Sequence, residues 1–113
     1  MTLQSIQGVL LRLYVHEKRK VEHLLAYEWL LAQAKALGIG GGSAYRAVAG
    51  YGRHGKLHEA GFVELAGEQP VLLEFVVSAD QADRLLALVE RAALPVFYTR
   101  AGVEYGSTGR AGD

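Results

Sequence analysis

Two stretches of this chain read as helices, and each lies between β-rich runs. That alternation constrains the fold more than any other feature. Gly8 to Tyr14 (Gly-Val-Leu-Leu-Arg-Leu-Tyr) is short, apolar and followed by charge, the pattern of a strand. Val21 to Leu37 carries Leu24, Leu25, Trp29, Leu30, Leu31 and four alanines, with no proline or glycine, which is helix material. Gly38 follows as a C-terminal cap. The polar residues of this helix, Glu22, His23, Glu28, Gln33 and Lys35, gather on no single face. Such a helix is expected to have protein on more than one side, in an oligomer or wrapped by its own chain. After a loop over Gly38 to Gly42, Ala44 to Tyr51 is expected as a second strand. Val71 to Val77 is a third, carrying Phe75 and a single charge, Glu74. Ser78-Ala79-Asp80-Gln81 is a capping box, a serine followed three residues later by glutamine. It opens a second helix that runs to about Ala93, with Leu85, Leu86, Leu88 and Val89 as its apolar stripe. Pro95 closes it, Val96 to Thr99 is a fourth strand, and Val103 to Tyr105 adds a short fifth. From about Gly106 the tail has little to bury and is expected to be loose.

The order is therefore βαβ followed by βαβ. An antiparallel four-stranded sheet with two helices on one face makes this an α+β chain of the ferredoxin-like split βαβ type. That arrangement serves many functions and decides no chemistry. At 113 residues, a single domain over 1–113 is expected. Charge and composition remove several functions. Lys and Arg number 12 against 12 Asp and Glu, so no basic field is available for nucleic acid. The absence of cysteine excludes disulfides, thiol catalysis and cysteine-ligated metals. Met1 to Gln7 has no positive charge and Arg12 interrupts the apolar run that follows, so no signal peptide is expected. No apolar run approaches the roughly 20 residues that span a bilayer. A cytoplasmic protein is the expectation.

The chemistry gathers where the second strand ends, in Val48-Ala49-Gly50-Tyr51-Gly52-Arg53-His54-Gly55-Lys56. Gly50, Gly52 and Gly55 permit positive φ and close backbone approach, as a strand end needs to hold an anion or a nucleotide. Arg53 offers planar, charge-assisted hydrogen bonds to a phosphate. The connection from Gly52 to Pro70 is long and rich in glycine and charge, a length usually tied to function or motion. In it His54, Lys56 and His58 are candidates for loop chemistry or partner contact. His54, His58 and Glu59 also form an alternative set for a divalent metal, with solvated histidines as the plain reading. Lys18-Arg19-Lys20 reads as a solvated turn or an anion contact. Trp29 and Tyr27 read as packing. Ser43, Ser78 and Thr99 have no base and orienting group readable from spacing, so no enzyme is expected.

Val48 to His54 resembles the end of strand two in the PII signalling proteins, where the pattern is V-K-G-F-G-R-Q. Leu73-Glu74-Phe75-Val76-Val77-Ser78-Ala79-Asp80-Gln81-Ala82-Asp83 resembles that family's third strand and second helix start. Leu11 to Val15 and the connection from Leu37-Gly38 to Tyr45-Arg46 are closest to a little-characterised PII-like branch. The resemblance covers most of Val9 to Glu104. It implies a homotrimer whose sheets face the centre, with adenine nucleotides in clefts between neighbouring subunits. Gly50, Gly52 and Arg53 are the positions it assigns to the nucleotide. Gly52 to Pro70 stands where the family carries its T-loop, which changes shape with ligand and docks on a protein target such as a membrane transporter. The family's phosphate-holding G-D-G-K is replaced here by Arg91-Ala92-Ala93-Leu94-Pro95. Pro70 stands close to an expected phosphate-binding lysine, and the basic pair near the C-terminus falls near Tyr105 and Ser107. These departures favour ADP, AMP or a cyclic nucleotide over ATP, and they are equally met by a chain that binds no nucleotide.

Overall fold

The structure is a computed structural model and describes residues 5–51 and 69–109. Its centre is strand β1, Ile6–His16, in which burial alternates with a period of two. Leu11, Leu13 and Val15 are buried, while Arg12 and Tyr14 point to the opposite side. A second strand of the same period, β5 (Pro70–Val77), pairs antiparallel with it and buries Val71, Leu73, Phe75 and Val77. On the other flank of β1 lies β6, Phe97–Tyr105, also antiparallel. The fourth strand of the sheet, β4 (Gly42–Arg46), pairs with β5. The order across the sheet is β4-β5-β1-β6.

Two helices cover one side of the sheet. Helix α1 spans Ala26–Ala36 and sets Ala26, Trp29, Leu30 and Ala34 into the core. Helix α2 spans Ala79–Arg91 and contributes Ala82, Leu85 and Val89. With the inward residues of β1 and β5, and with Ile39 and Leu94, these form one apolar cluster. A fully buried leucine in such a core is worth roughly 1.5–3 kcal/mol relative to exposure. The ferredoxin-like α+β arrangement expected from the element order is what the chain adopts. The capping box forms as read: Gln81 N donates to Ser78 Oγ and Ser78 N donates to Gln81 Oε1, each at 3.0 Å.

Several boundaries differ from the sequence reading, each for a local reason. Residues 21–25 are not helical. Strands β2 (Lys20–Val21) and β3 (Leu24–Leu25) form a small hairpin before α1. Its two turn residues, Glu22 and His23, have φ of 51° and 73°, the left-handed pair that a tight hairpin turn requires. Ala26 N donates to Arg19 O at 2.7 Å and fixes the helix start there. Helix α1 is also one-sided within the chain: Ala32 and Ala36 are exposed. Alanine favours helix without needing burial, which is why composition overstated the apolar surface. Helix α2 stops at Arg91, and Ala93 takes a positive φ of 55° beyond it. The fourth and fifth strands are one. Ala101 and Gly102 bridge them, opposite Leu10 and Val9.

The side of the sheet away from the helices is banded. Cross-strand partners stand side by side, so register sorts the outward residues into rows. One row is Tyr45, Leu72, Tyr14 and Phe97, with the Tyr14 and Phe97 rings 5.7 Å apart between centroids. The next row is Ser43, Glu74, Arg12 and Thr99. Beyond it come Val76, Leu10 and Ala101. In the polar row Arg12 Nε donates to Glu74 Oε2 at 2.8 Å.

Candidate functional site

Strand β4 has a chemically distinctive stretch at each end. At its exit the pairing stops at Arg46, so the strand does not run into the glycine motif as expected. Ala47 N makes one last bond, to Pro70 O at 3.0 Å. Beyond it Val48 is 95% exposed and Tyr51 86% exposed, with no neighbour among the described residues to hold them to a ladder. Gly50 sits in open space, with nothing among the described residues within 4 Å of where a Cβ would stand. Of the nucleotide-binding candidates only Gly50 is described. Gly52 and Arg53 lie outside the described residues, as do His54, Lys56, His58 and Glu59. Among the described residues no three His, Cys, Asp or Glu side chains group to hold a metal.

What the structure does show at this exit is an anchor for the segment that follows. Arg46 Nε donates to Glu17 Oε2 at 3.0 Å, tying the end of β4 to the residue after β1. The Glu17 side chain is only 16% exposed. Lys18 N donates to His16 Nδ1 at 3.1 Å in the same turn. The chain is thus held at Arg46 and Ala47 on one side and at Pro70 on the other by an ion pair and a ladder bond.

At the entry end of β4 lies a groove of about 650 Å³. Sequence reasoning passed over it as a loop. Gly38, Gly40, Gly41 and Gly42 form one wall with Ser43. Leu10, Val76 and Tyr105 supply an apolar floor, and Glu74 and Gln81 supply polar groups. Local chemistry sets this shape. Gly38, at φ 83°, lets the chain leave α1, and Gln81 Nε2 donates to Gly38 O at 3.4 Å, linking the loop to the start of α2. Gly42 lies so close to Phe75 that a Cβ there would stand 2.3 Å from its ring. The missing side chains keep the wall thin and the groove open. The signal available in the sequence was the density of glycine, four in the five residues 38–42.

The groove can accept a flat, largely apolar group bearing a hydrogen-bond donor. Its floor is aliphatic and aromatic, Ser43 can donate or accept, and the Glu74 carboxylate accepts. Arg12 takes one oxygen of Glu74 and leaves the other as an acceptor. The single charge of this strand, Glu74, is therefore paired. The turn carrying Arg19 and Lys20 lines a smaller depression, of about 340 Å³, together with Ala92 to Pro95. Among the described residues no helix is long and apolar enough to cross a membrane.

The sequence profile of the DUF190 family, described as Uncharacterized ACR, matches residues 8–104. A UPF0166 protein of Aquifex aeolicus (strain VF5) is 29% identical over 84 residues, covering 74% of this chain and 80% of that protein. A UPF0166 protein of Methanocaldococcus jannaschii is 31% identical over 81 residues, covering 72% of this chain and 74% of that one. Among solved structures, a protein of Thermus thermophilus described as PII-like and signalling is 19% identical. Its TM-score is 0.63 over 92% of this chain and 94% of its own. CPII, a nitrogen regulatory PII-like protein from Thiomonas intermedia K12 bound to ADP, AMP and bicarbonate, is 13% identical. Its TM-score is 0.65 over 94% of both chains. At these identities the likeness is one of fold.

Proposed function

Because this chain belongs to the DUF190 family and has the fold of the PII-like proteins, we propose that it is a regulatory protein. In this reading it binds an adenine nucleotide and passes the signal to a protein partner. The observation that carries it is the groove at the entry of β4. An apolar floor, a thin glycine wall, and Ser43 and Glu74 as polar contacts suit a purine base with an exocyclic amine. CPII, with the same fold, holds ADP and AMP, which supports the choice of ligand.

In this reading Ser43 and Glu74 receive the base, while Gly50, Gly52 and Arg53 receive the phosphates. The turn after α2, Arg91 to Pro95, has neither the glycine nor the lysine of a phosphate-holding loop, so ADP and AMP bind better than ATP. The groove opens on the uncovered side of the sheet. In a homotrimer whose sheets face inward, it becomes a cleft between neighbouring copies. Residues 52–70 act as the T-loop, with His54, Lys56 and His58 as its contact groups, and their target is a protein such as a membrane transporter. Signalling is a population shift of that segment, driven by the difference in nucleotide affinity between its states. The protein works in the cytoplasm and performs no catalytic step.

Calorimetric titration with AMP, ADP, ATP and cyclic AMP tests this, with wild type beside Arg53→Ala and Ser43→Ala. Saturable binding of AMP or ADP is expected, weakened about tenfold or more in each variant, as the loss of a charge-assisted or buried hydrogen bond implies. Absence of binding by all four nucleotides overturns the nucleotide reading. Unchanged affinity in Arg53→Ala removes that residue from the site.

A further inference from the structure

We propose that the ion pair Arg12–Glu74 is the register key of the contact between copies of this chain. The inference rests on the homotrimer reading above and adds what sets that contact. On the side of the sheet away from the helices, the polar row of Ser43, Glu74, Arg12 and Thr99 runs straight across four strands. Aromatic residues lie on one side of it and Val76 and Leu10 on the other. Apolar rows of this kind attract one another in any register, because the hydrophobic effect has no direction. The polar row does not. Its two charged side chains remain 43% and 29% exposed and keep hydrogen-bonding capacity beyond their single mutual bond.

When the face is covered, those charges lose water, and their single mutual bond leaves the other guanidinium N–H groups and the second carboxylate oxygen to be satisfied by further charge-assisted bonds. A second copy of the chain meets that need. The row carries one cation and one anion side by side, so it is complementary to itself. The chain has no net charge to oppose the approach of copies. Polar row meets polar row, Arg12 of each copy lies against Glu74 of the next, and the charges close into a ring between an aromatic tier and an aliphatic one. A register shifted by one row would set these charges against Tyr14 or Leu10 and leave each with its intrachain partner alone. A single buried polar group fixes the register of coiled coils on the same principle.

The test uses the full chain and measures mass in solution over a range of concentrations. Wild type is expected to be trimeric. Glu74→Gln is expected to dissociate at concentrations at least tenfold above those at which wild type stays assembled. Arg12→Glu and Glu74→Arg, one doubly acidic and the other doubly basic in this row, are each expected to fail alone; mixed, they restore opposite charges at two of the three contacts of a ring, so mixing is expected to recover assembly in part. Rescue by mixing reports a contact between copies, which a merely intrachain ion pair would not give. Circular dichroism of each variant monitors folding. If a charge reversal does not fold, Glu74→Gln decides, because it alters the pair without introducing a like charge. A monomeric wild type overturns the trimer reading and this inference with it. A trimeric wild type with Glu74→Gln unchanged in mass and concentration dependence overturns this inference alone.

Discussion

Gly42 faces a ring with no room to retreat. Phe75 is 2% exposed and sits in the centre of the core, and a Cβ at position 42 would stand 2.3 and 2.5 Å from two of its ring carbons. Gly42→Ala is therefore expected to destabilise the chain by about 1–3 kcal/mol, the usual cost of overpacking. Gly40, two residues earlier, has nothing among the described residues within 4 Å of its Cβ position, so Gly40→Ala serves as the control. Its stability should change by less than about 0.5 kcal/mol, the range of surface substitutions. Urea denaturation of both variants checks this, and equal effects would refute the account of the wall. At this scale the sequence was only partly legible. It showed that glycines cluster at 38–42 and again at 50–55. It could not show which one touches a ring, because that contact joins residues 33 positions apart across a sheet. The anchor between Glu17 and Arg46 was hidden for the same reason.

Helix α2 was the most legible element, because its start signal is local. Both hydrogen bonds of its capping box connect residues three apart. Ser78→Ala removes one acceptor from the first turn and is expected to cost about 1 kcal/mol. In a chain of this size that lowers the midpoint of thermal unfolding by about 4 °C. A melting curve indistinguishable from wild type would mean that water replaces the serine at no cost. Helix α1 was less legible, because its first five expected residues belong to a hairpin. Leucine favours helix, but Leu24 and Leu25 are held in β3 by pairing with Lys20 and Val21, and pairing overrides propensity. The exit of β4 misled for a related reason. Val48 and Tyr51 have strand character, yet a strand persists only where a neighbour accepts its hydrogen bonds. Strand β5 begins at Pro70 opposite His16, and none of its residues is left to pair them.

For the whole molecule, element order and strand periodicity were enough to give the sheet, its two helices and their common side. What one chain cannot show is what covers the other side. Ile6, Tyr45, Val76, Phe97 and Tyr105 on that side are each more than a third exposed, an apolar content unusual for a surface left to water. Addition of the preferred nucleotide to the assembled protein is expected to raise its thermal midpoint, by mass action on the folded state, in proportion to the logarithm of ligand concentration. A midpoint that ignores the ligand would separate nucleotide binding from the folded state described above. The alternation along β1 has a consequence for the folding chain. Leu11, Leu13 and Val15 face the helices and Arg12 faces away, so a slip of one residue against β5 would drop a guanidinium among leucines and lift three aliphatic groups into water. The mispaired sheet would be heavily penalised before any helix docked on it. The central strand thus proofreads its own alignment, and the charge proposed above to set how finished copies meet also rejects the wrong draft of each one.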